Sequence, residues 1–460
     1  MKKLYCYALC MILIFTTLAV ADFTYVTADG STDAKEWPSP PDVVAQAGIV
    51  MEAGTGTVLY NKNMNDKMYP ASITKILTTL ITLENTTPDE MINFYHYDVF
   101  SLVYGDAHIG MKENEQLKVT DCLYGVMLAS ANECANAAGE HIARKTKAFS
   151  DEIDRCKASG EEYNESKVAL KVFADIMNRR AKKAGAINSH FNNPSGLFDE
   201  EHYTTCYDMA MITRDAIKND SFLEIESNTT YRIPNTNLTA ETRGVSNRHK
   251  MLYPDSRFYY EGAMGGKTGY VDQSGNTLVT FAKRNGITLI CVIMKSNTAN
   301  VYTDTALLLD YGFNNFHTEN ISDNEPVYSK SEDILSVDKD NYVIIPNNTK
   351  FADTKSDITF YGNTNKYNKI ASIDYYYKDT HVGSTALRIN APDNASFKFG
   401  SVMKVKNKST KTQHSEYFPN IIVWTLVTIL LIILLSFILF VLYKRRKHFK
   451  QQNVLRQIGD

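Results

Sequence analysis

The stretch from Ile421 to Tyr443 constrains this chain more than any other. It is apolar, carries no charge, and is about as long as a bilayer is thick. Lys444-Arg445-Arg446-Lys447 follow at once, with Lys450 shortly after, and such a cluster favours the cytoplasmic side. Lys404, Lys406, Lys408 and Lys411 lie on the opposite side and blunt a simple charge count. The other end of the chain decides the orientation. Lys2 and Lys3 precede an apolar run from Leu4 to Val20, and Ala19-Val20-Ala21 supplies small residues for cleavage. That order describes a secretory signal peptide over residues 1–21, and the run is short for a membrane span. Cys10 follows Leu9 rather than a small residue, which argues against a lipidated cysteine. The expected chain is exported in bulk and held by a single C-terminal transmembrane helix, 421–443. A stalk (401–420) precedes the helix and a short cytoplasmic tail (444–460) follows it.

The 460 residues leave room for two or three domains. An apolar share of 44% with a formal net charge of −3 argues against a disordered or nucleic-acid-coating protein, so no nucleic-acid partner is expected. Cleavage would remove two of the seven cysteines and leave Cys122, Cys134, Cys156, Cys206 and Cys291. An odd number at irregular spacing predicts mostly buried thiols, with room for one pair. The absence of Cys-x-x-Cys and His-x-x-x-His patterns argues against a metal site, and no cofactor is expected.

Residues 22–43 are polar, end in Trp37-Pro38-Ser39-Pro40-Pro41, and read as a linker. "AGIVMEAGTGTVLY", from Ala47, predicts a hairpin; helical spacing then dominates from Ser72 to about Ile217. The charged stretch from Lys145 to Lys167 reads as an exposed insertion. "LVTFAKRNGITLICVIM" predicts two strands joined at Asn285-Gly286, and a helix follows over roughly Tyr302 to Asn314. Short β-rich runs from 325 to 400 predict a small all-β domain behind a larger α+β domain spanning 44–318.

The segment "EGAMGGKTGYVDQSGNTL", Glu261 to Leu278, poses the functional question. Its Gly-Gly-Lys-Thr resembles the end of a phosphate loop. That loop needs a glycine at position 261, where Glu261 stands, and a helix afterwards, where the pattern is a hairpin. The phosphate reading fails on both counts.

The competing pattern is spread along the chain. Ser72-Ile73-Thr74-Lys75 opens an apolar helical segment, Ser130-Ala131-Asn132 lies between two helical patterns, and Lys267-Thr268-Gly269 lies on a strand. Ser-x-x-Lys alone is weak: it recurs at Ser336 and Ser401, and a serine opening a helix is usually an N-cap. Order and context give the triple its weight. A serine hydroxyl attacks only after a base takes its proton, and a lysine kept neutral by burial and a second cation can do so. Lys75 fits the base, Lys267 the second cation, and Ser130 a relay to the leaving amine. Asn132 offers an amide to the substrate backbone, while Lys267 and Thr268 suit a terminal carboxylate. Gly269 would leave the strand open to substrate, and the backbone N–H groups of Ser72 and Tyr270 would form an oxyanion hole. Ser274-Gly275-Asn276 looks like a better copy of the middle motif but lacks flanking helices.

With these motifs the sequence resembles the low-molecular-weight penicillin-binding proteins that act as D-alanyl-D-alanine carboxypeptidases. "AGIVMEAGTGTVLYNKN", "YPASITKILTTL", "VTDCLYGVMLASANECANAAGEHIA", "FNNPSGLFDEEHYTTCYDMAMIT" and "GGKTGY" all resemble family blocks, over about Val44 to Phe316. The resemblance implies a β-lactamase/transpeptidase-like domain, a helical cluster on an antiparallel sheet. It also implies removal of the last D-alanine from peptidoglycan stem pentapeptides through an acyl-enzyme at Ser72, acylation of the same serine by β-lactams, and placement outside a bacterial cell membrane. The chain departs from the family at Ala131 (usually glycine), Glu133 (often aspartate), Val271 (often threonine), and Val301-Tyr302, where some members carry a carboxylate-binding arginine. Arg248 could take that part. A β-lactamase on the same motifs would need a deacylating glutamate, and the one Glu-x-x-x-Asn match between the second and third motifs, Glu224 to Asn228, lies far past Ser130 and close to Lys267 in sequence. A non-catalytic wall-binding or β-lactam-sensing protein on this fold is the other alternative.

Overall fold

A computed structural model describes residues 36–160, 162–325, 335–361 and 368–390. The predicted signal peptide, stalk, membrane helix and tail lie outside these residues. Among the described residues no helix is long and apolar enough to cross a membrane.

The larger body is built on a five-stranded antiparallel sheet. Its strands are β1 (Ala47–Glu52), β2 (Val58–Lys62), β3 (Ala263–Val271), β4 (Gly275–Arg284) and β5 (Ile287–Ser296), in the order β2-β1-β5-β4-β3. The N-terminal hairpin therefore joins a sheet made mainly by residues more than two hundred positions later. Asn285 and Gly286 join β4 to β5 with φ of 51° and 83°, the paired left-handed geometry that Asn-Gly supplies. β5 is a continuous apolar run covered on both faces, and its central residues Leu289 to Met294 are fully or almost fully buried.

One face carries the helical cluster: α1 (Lys75–Asn85), α2 (Val119–Met127), α3 (Asn132–Arg144), α4 (Lys147–Ser159), α5 (Glu165–Lys183), α6 (Cys206–Ala216) and α7 (Asp220–Ser227). α8 (Asn300–Asn315) belongs to the second core, which contains Leu278, Leu289, Ile293 and Leu308. α1 is buried from Lys75 to Thr82, polar positions included, because the other helices and the sheet enclose it. The Lys145–Lys167 stretch is mostly exposed, and it is helical. α4 is capped by the Thr146 side chain, buries Ile153 and Cys156, and leads into α5, capped by Asn164. All five described cysteines are free and buried.

At the β-rich end the described residues form one sheet ordered Leu335–Val337, Thr380–Ile389, Lys369–Tyr377, Lys355–Phe360. Strand Tyr342–Pro346 pairs instead with Phe316–Asn320, across the predicted boundary. The Tyr342 hydroxyl donates to Glu52 at 2.9 Å, tying the small sheet to the β1–β2 turn. The Trp-Pro-rich stretch is not a free linker either. Trp37 packs on Phe316 and Tyr377 and donates its indole N–H to the Leu59 carbonyl at 3.1 Å.

The helical core sets the rigidity of what lies beside it. Phe173 of α5 is fully buried in the main cluster, and replacing it with alanine is expected to cost about 3–5 kcal/mol. Urea unfolding of Phe173→Ala measures this; a loss below about 1 kcal/mol would contradict the packing.

Candidate active site

The first structural demand is to hold a serine at the mouth of a buried helix. Ala71–Thr74 forms a tight 3-10 turn that runs into α1, with Ala71 at φ 51°. A non-glycine residue there costs on the order of 1–3 kcal/mol and persists only when its surroundings enforce it. They do. Gly196 approaches the Ala71 carbonyl so closely that a Cβ would sit 1.9 Å from the oxygen. Thr277 of β4 donates its hydroxyl to the Pro70 carbonyl at 2.8 Å. Ser130 is strained in the same way, at φ 61°, in the bend between α2 and α3.

Lys75 is completely buried, and its Nζ meets three oxygens. These are the Asn132 Oδ1 at 2.7 Å, the Ser195 carbonyl at 2.6 Å and the Ser72 Oγ at 3.0 Å. Burial holds its pKa well below the ordinary lysine value, and the Lys267 charge pushes it the same way. A neutral amine has two protons and one lone pair. Asn132 and Ser195 accept the two protons, which leaves the lone pair for the Ser72 hydroxyl.

Lys267 sits on β3 with its Nζ 3.0 Å from Ser130 Oγ and 2.9 Å from the Thr268 carbonyl. Burial lowers it to about 7, Glu226 pulls it back up, and Arg248 adds to the lowering. Ser72, Ser130, Asn132, Thr268, Gly269 and Tyr270 share one cleft of about 290 Å³, and Arg248 and Tyr302 also line it. The predicted residues thus come together from α1, α3, β3 and the turns before them. Among the described residues no cluster of His, Cys, Asp or Glu could hold a metal ion.

Some roles change. Gly269 is required by the protein itself: a Cβ there would lie 2.4 Å from Thr277 Oγ1 and 2.9 Å from the Ser72 nitrogen. The strand must press against the nucleophile turn, which places the Ser72 and Tyr270 backbones at the same cleft. Ser274-Gly275-Asn276 runs from the turn after β3 into the start of β4, and Ser274 Oγ accepts the Val271 N–H at 3.1 Å, with the Val271 and Gly275 carbonyls both within reach of its one proton. Asn276 still reaches the cleft wall. Glu224 lines a separate pocket with Leu83, Tyr124 and Ile225, away from Ser72. Glu133, the middle-motif departure, accepts the Ile109 N–H at 2.7 Å and anchors the rim loop whose Ala107 carbonyl accepts from the Asn132 nitrogen. Val301 is core, buried at 3% exposure, which leaves Arg248 as the guanidinium at that wall.

Sequence reasoning did not assign Ser195 or Glu226. The Ser195 carbonyl lies 120 positions from Lys75 and acts through backbone, so its side chain carries no signal. Glu226 did leave a signal, a carboxylate on the buried stripe of α7 with Phe222 and Ile225.

The family profile described as D-alanyl-D-alanine carboxypeptidase matches residues 34–159 and 166–298, more than half of the chain. The chain belongs to this family. The D-alanyl-D-alanine carboxypeptidase DacF of Bacillus subtilis is 27% identical over 296 residues, 64% of this chain and 67% of that protein. DacA of Haemophilus influenzae is 27% identical over 324 residues, 67% of this chain and 74% of that one. The crystal structure of a Streptomyces DD-transpeptidase superposes with a TM-score of 0.52 at 25% identity, covering 60% of this chain and 99% of that one.

The close approach at Gly269 gives a direct prediction. Gly269→Ala should leave the fold intact but push the strand from the Ser72 turn. Misplacing a catalytic group by ~1 Å costs on the order of 10²-fold in rate. Stopped-flow acylation by a chromogenic β-lactam reads this, and an unchanged rate would refute the contact.

Proposed function

We propose that this protein is a serine-type D-Ala-D-Ala carboxypeptidase that removes the terminal D-alanine of peptidoglycan stem pentapeptides through an acyl-enzyme on Ser72. The observation that carries the proposal is the pair of contacts Lys75 Nζ to Ser72 Oγ and Lys267 Nζ to Ser130 Oγ, both 3.0 Å, made by two fully buried lysines. Family membership supports the same reaction.

In the proposed cycle the Lys75 amine takes the Ser72 proton as Oγ attacks the penultimate carbonyl. The N–H groups of Ser72 and Tyr270 receive the developing oxyanion, a contribution worth about 3–4 kcal/mol per donor in comparable sites. Ser130, bonded to Lys267, relays that proton from Lys75 to the departing D-alanine nitrogen, leaving both groups as they began. Asn132 has its oxygen on Lys75, so its amide nitrogen is the end offered to a substrate carbonyl. Lys267, Thr268 and Arg248 hold the terminal carboxylate. Water then releases the shortened peptide. A β-lactam presents the same carbonyl beside a carboxylate, and would acylate Ser72 likewise.

The location we propose is the outer face of a bacterial cell membrane, with a single pass at 421–443. Its support is the uncharged run, the basic residues after it, and the leader-like N-terminus.

Fluorescent penicillin should label the protein, Ser72→Ala should abolish labelling, and free D-alanine should appear from a pentapeptide. Absence of labelling would sink the proposal, and rapid hydrolysis of the drug would indicate a β-lactamase instead. Acylation should fall as pH drops through the Lys75 pKa, because the base works unprotonated, and that acid limb should lie well below the ordinary lysine value.

A further inference from the structure

One buried histidine beside the nucleophile turn takes no part in the cycle above. His202 is buried at 2% exposure, and both ring nitrogens have a partner. Nδ1 accepts the Asn192 backbone N–H at 3.1 Å, so that nitrogen carries no proton. The ring proton is therefore on Nε2, which donates to Thr74 Oγ1 at 2.9 Å. An imidazolium would set two N–H groups against each other at Asn192. Burial pushes the ring down to about 4; Asp199 opposes the shift, and His190 and Lys75 add to it. The contacts fit the neutral Nε2–H form alone.

The two partners join the nucleophile turn to a loop. Thr74 stands between Ser72 and Lys75, at the end of the turn that leads into α1. Asn192 opens a loop that leaves the body at the His190–Tyr203 bridge and returns there through His202. Inside the loop, Asn193 Oδ1 accepts the N–H groups of Ser195 at 3.2 Å and Gly196 at 2.7 Å, which fixes a tight turn. That turn presents the Ser195 carbonyl to Lys75 Nζ and the Gly196 backbone to the Ala71 carbonyl. One turn further along α1, Thr78 donates its hydroxyl to the Pro194 carbonyl at 2.7 Å.

We propose that His202 is a positioning residue: a neutral, Nε2-protonated imidazole that ties the neck of this loop to Thr74 and so holds the Ser195 carbonyl on Lys75. The proposal rests on Lys75 as the base of the cycle above. Thr78 alone would leave the loop free to pivot about Pro194, and the second tie at Thr74 removes that freedom. The consequence is chemical. A neutral Lys75 has two protons to place, and Ser195 takes one of them. If that carbonyl drifts, the proton turns to Ser72 Oγ, and the lone pair no longer faces the hydroxyl it must deprotonate. The loss falls on acylation more than on binding, because Asn132, Lys267, Thr268 and Arg248 hold the substrate from other parts of the chain.

A buried histidine with a merely structural role would lower stability and leave the folded protein's rate unchanged. The experiment therefore separates the acylation rate constant for a chromogenic β-lactam from the dissociation constant of the complex that precedes it. For His202→Ala we expect acylation to slow on the order of 10²-fold, with the dissociation constant changed by less than about threefold. His202→Gln keeps a side-chain N–H for Thr74, and His202→Asn keeps an acceptor for Asn192. Each should recover part of the rate. In wild-type protein labelled with 15N-histidine, two-bond 1H–15N correlations should show His202 as the Nε2–H tautomer at about pH 7. An Nδ1–H tautomer or an imidazolium at that pH would overturn the proposal, as would wild-type acylation by folded His202→Ala. Rates in both His202→Gln and His202→Asn no better than in His202→Ala would overturn it too. Should His202→Ala not fold, Thr74→Val removes the acceptor and decides: acylation about tenfold slower supports the tie, and an unchanged rate refutes it. Wild-type protein that no β-lactam acylates would overturn the carboxypeptidase assignment and, with it, the role given to Lys75.

Discussion

The site depends on one costly act, the burial of two lysine side chains beside each other. Neither Lys75 nor Lys267 is open to water, and the Lys267 charge raises the cost of charge on Lys75. The fold resolves the conflict by giving them different surroundings. Lys75 faces two acceptors and a hydroxyl, a set that a neutral amine satisfies in full. Lys267 has acceptors of its own and a buried carboxyl behind its strand. In the proposed cycle a base and a carboxylate anchor thus come from the same residue type, set apart by burial and partners alone.

Most of the remaining architecture holds that arrangement in place. The Ser72 turn is pressed between Gly196 on one side and the Gly269 strand on the other, while Thr277 grips the Pro70 carbonyl. The strained backbones of Ala71 and Ser130 persist because α1, α3 and the sheet are packed too well to relax. The two-stranded sheet of Phe316–Asn320 and Tyr342–Pro346 is tied to the β1–β2 hairpin through Tyr342, and Trp37 packs on both Phe316 and Tyr377.

Much of this was legible in the sequence where geometry is local. Ser72 and Lys75 are one helical turn apart, Asn285-Gly286 fixes a hairpin, and the apolar runs flanking Ser130 mark two helices. Chain order then linked three weak motifs. What stayed hidden is long-range or backbone-borne. The Ser195 carbonyl leaves no trace in its side chain, and the function of Gly269 depends on what lies across from it. Glu226 was legible in principle as a carboxylate on an apolar stripe, but only the fold places that stripe against β3. The linker reading of Trp37 failed for a related reason: proline-rich composition hides an aromatic ring that packs between two bodies.

The central claim is that Lys75 is an uncharged amine in the resting protein. It is tested by following the ε-carbon signals of 13C-labelled lysine across pH, with Lys75→Arg to assign the resonance. The account predicts that the Lys75 signal titrates well below the ordinary lysine value of 10.5. A Lys75 signal that titrates near that value would mean a charged lysine beside Ser72, and would contradict the account.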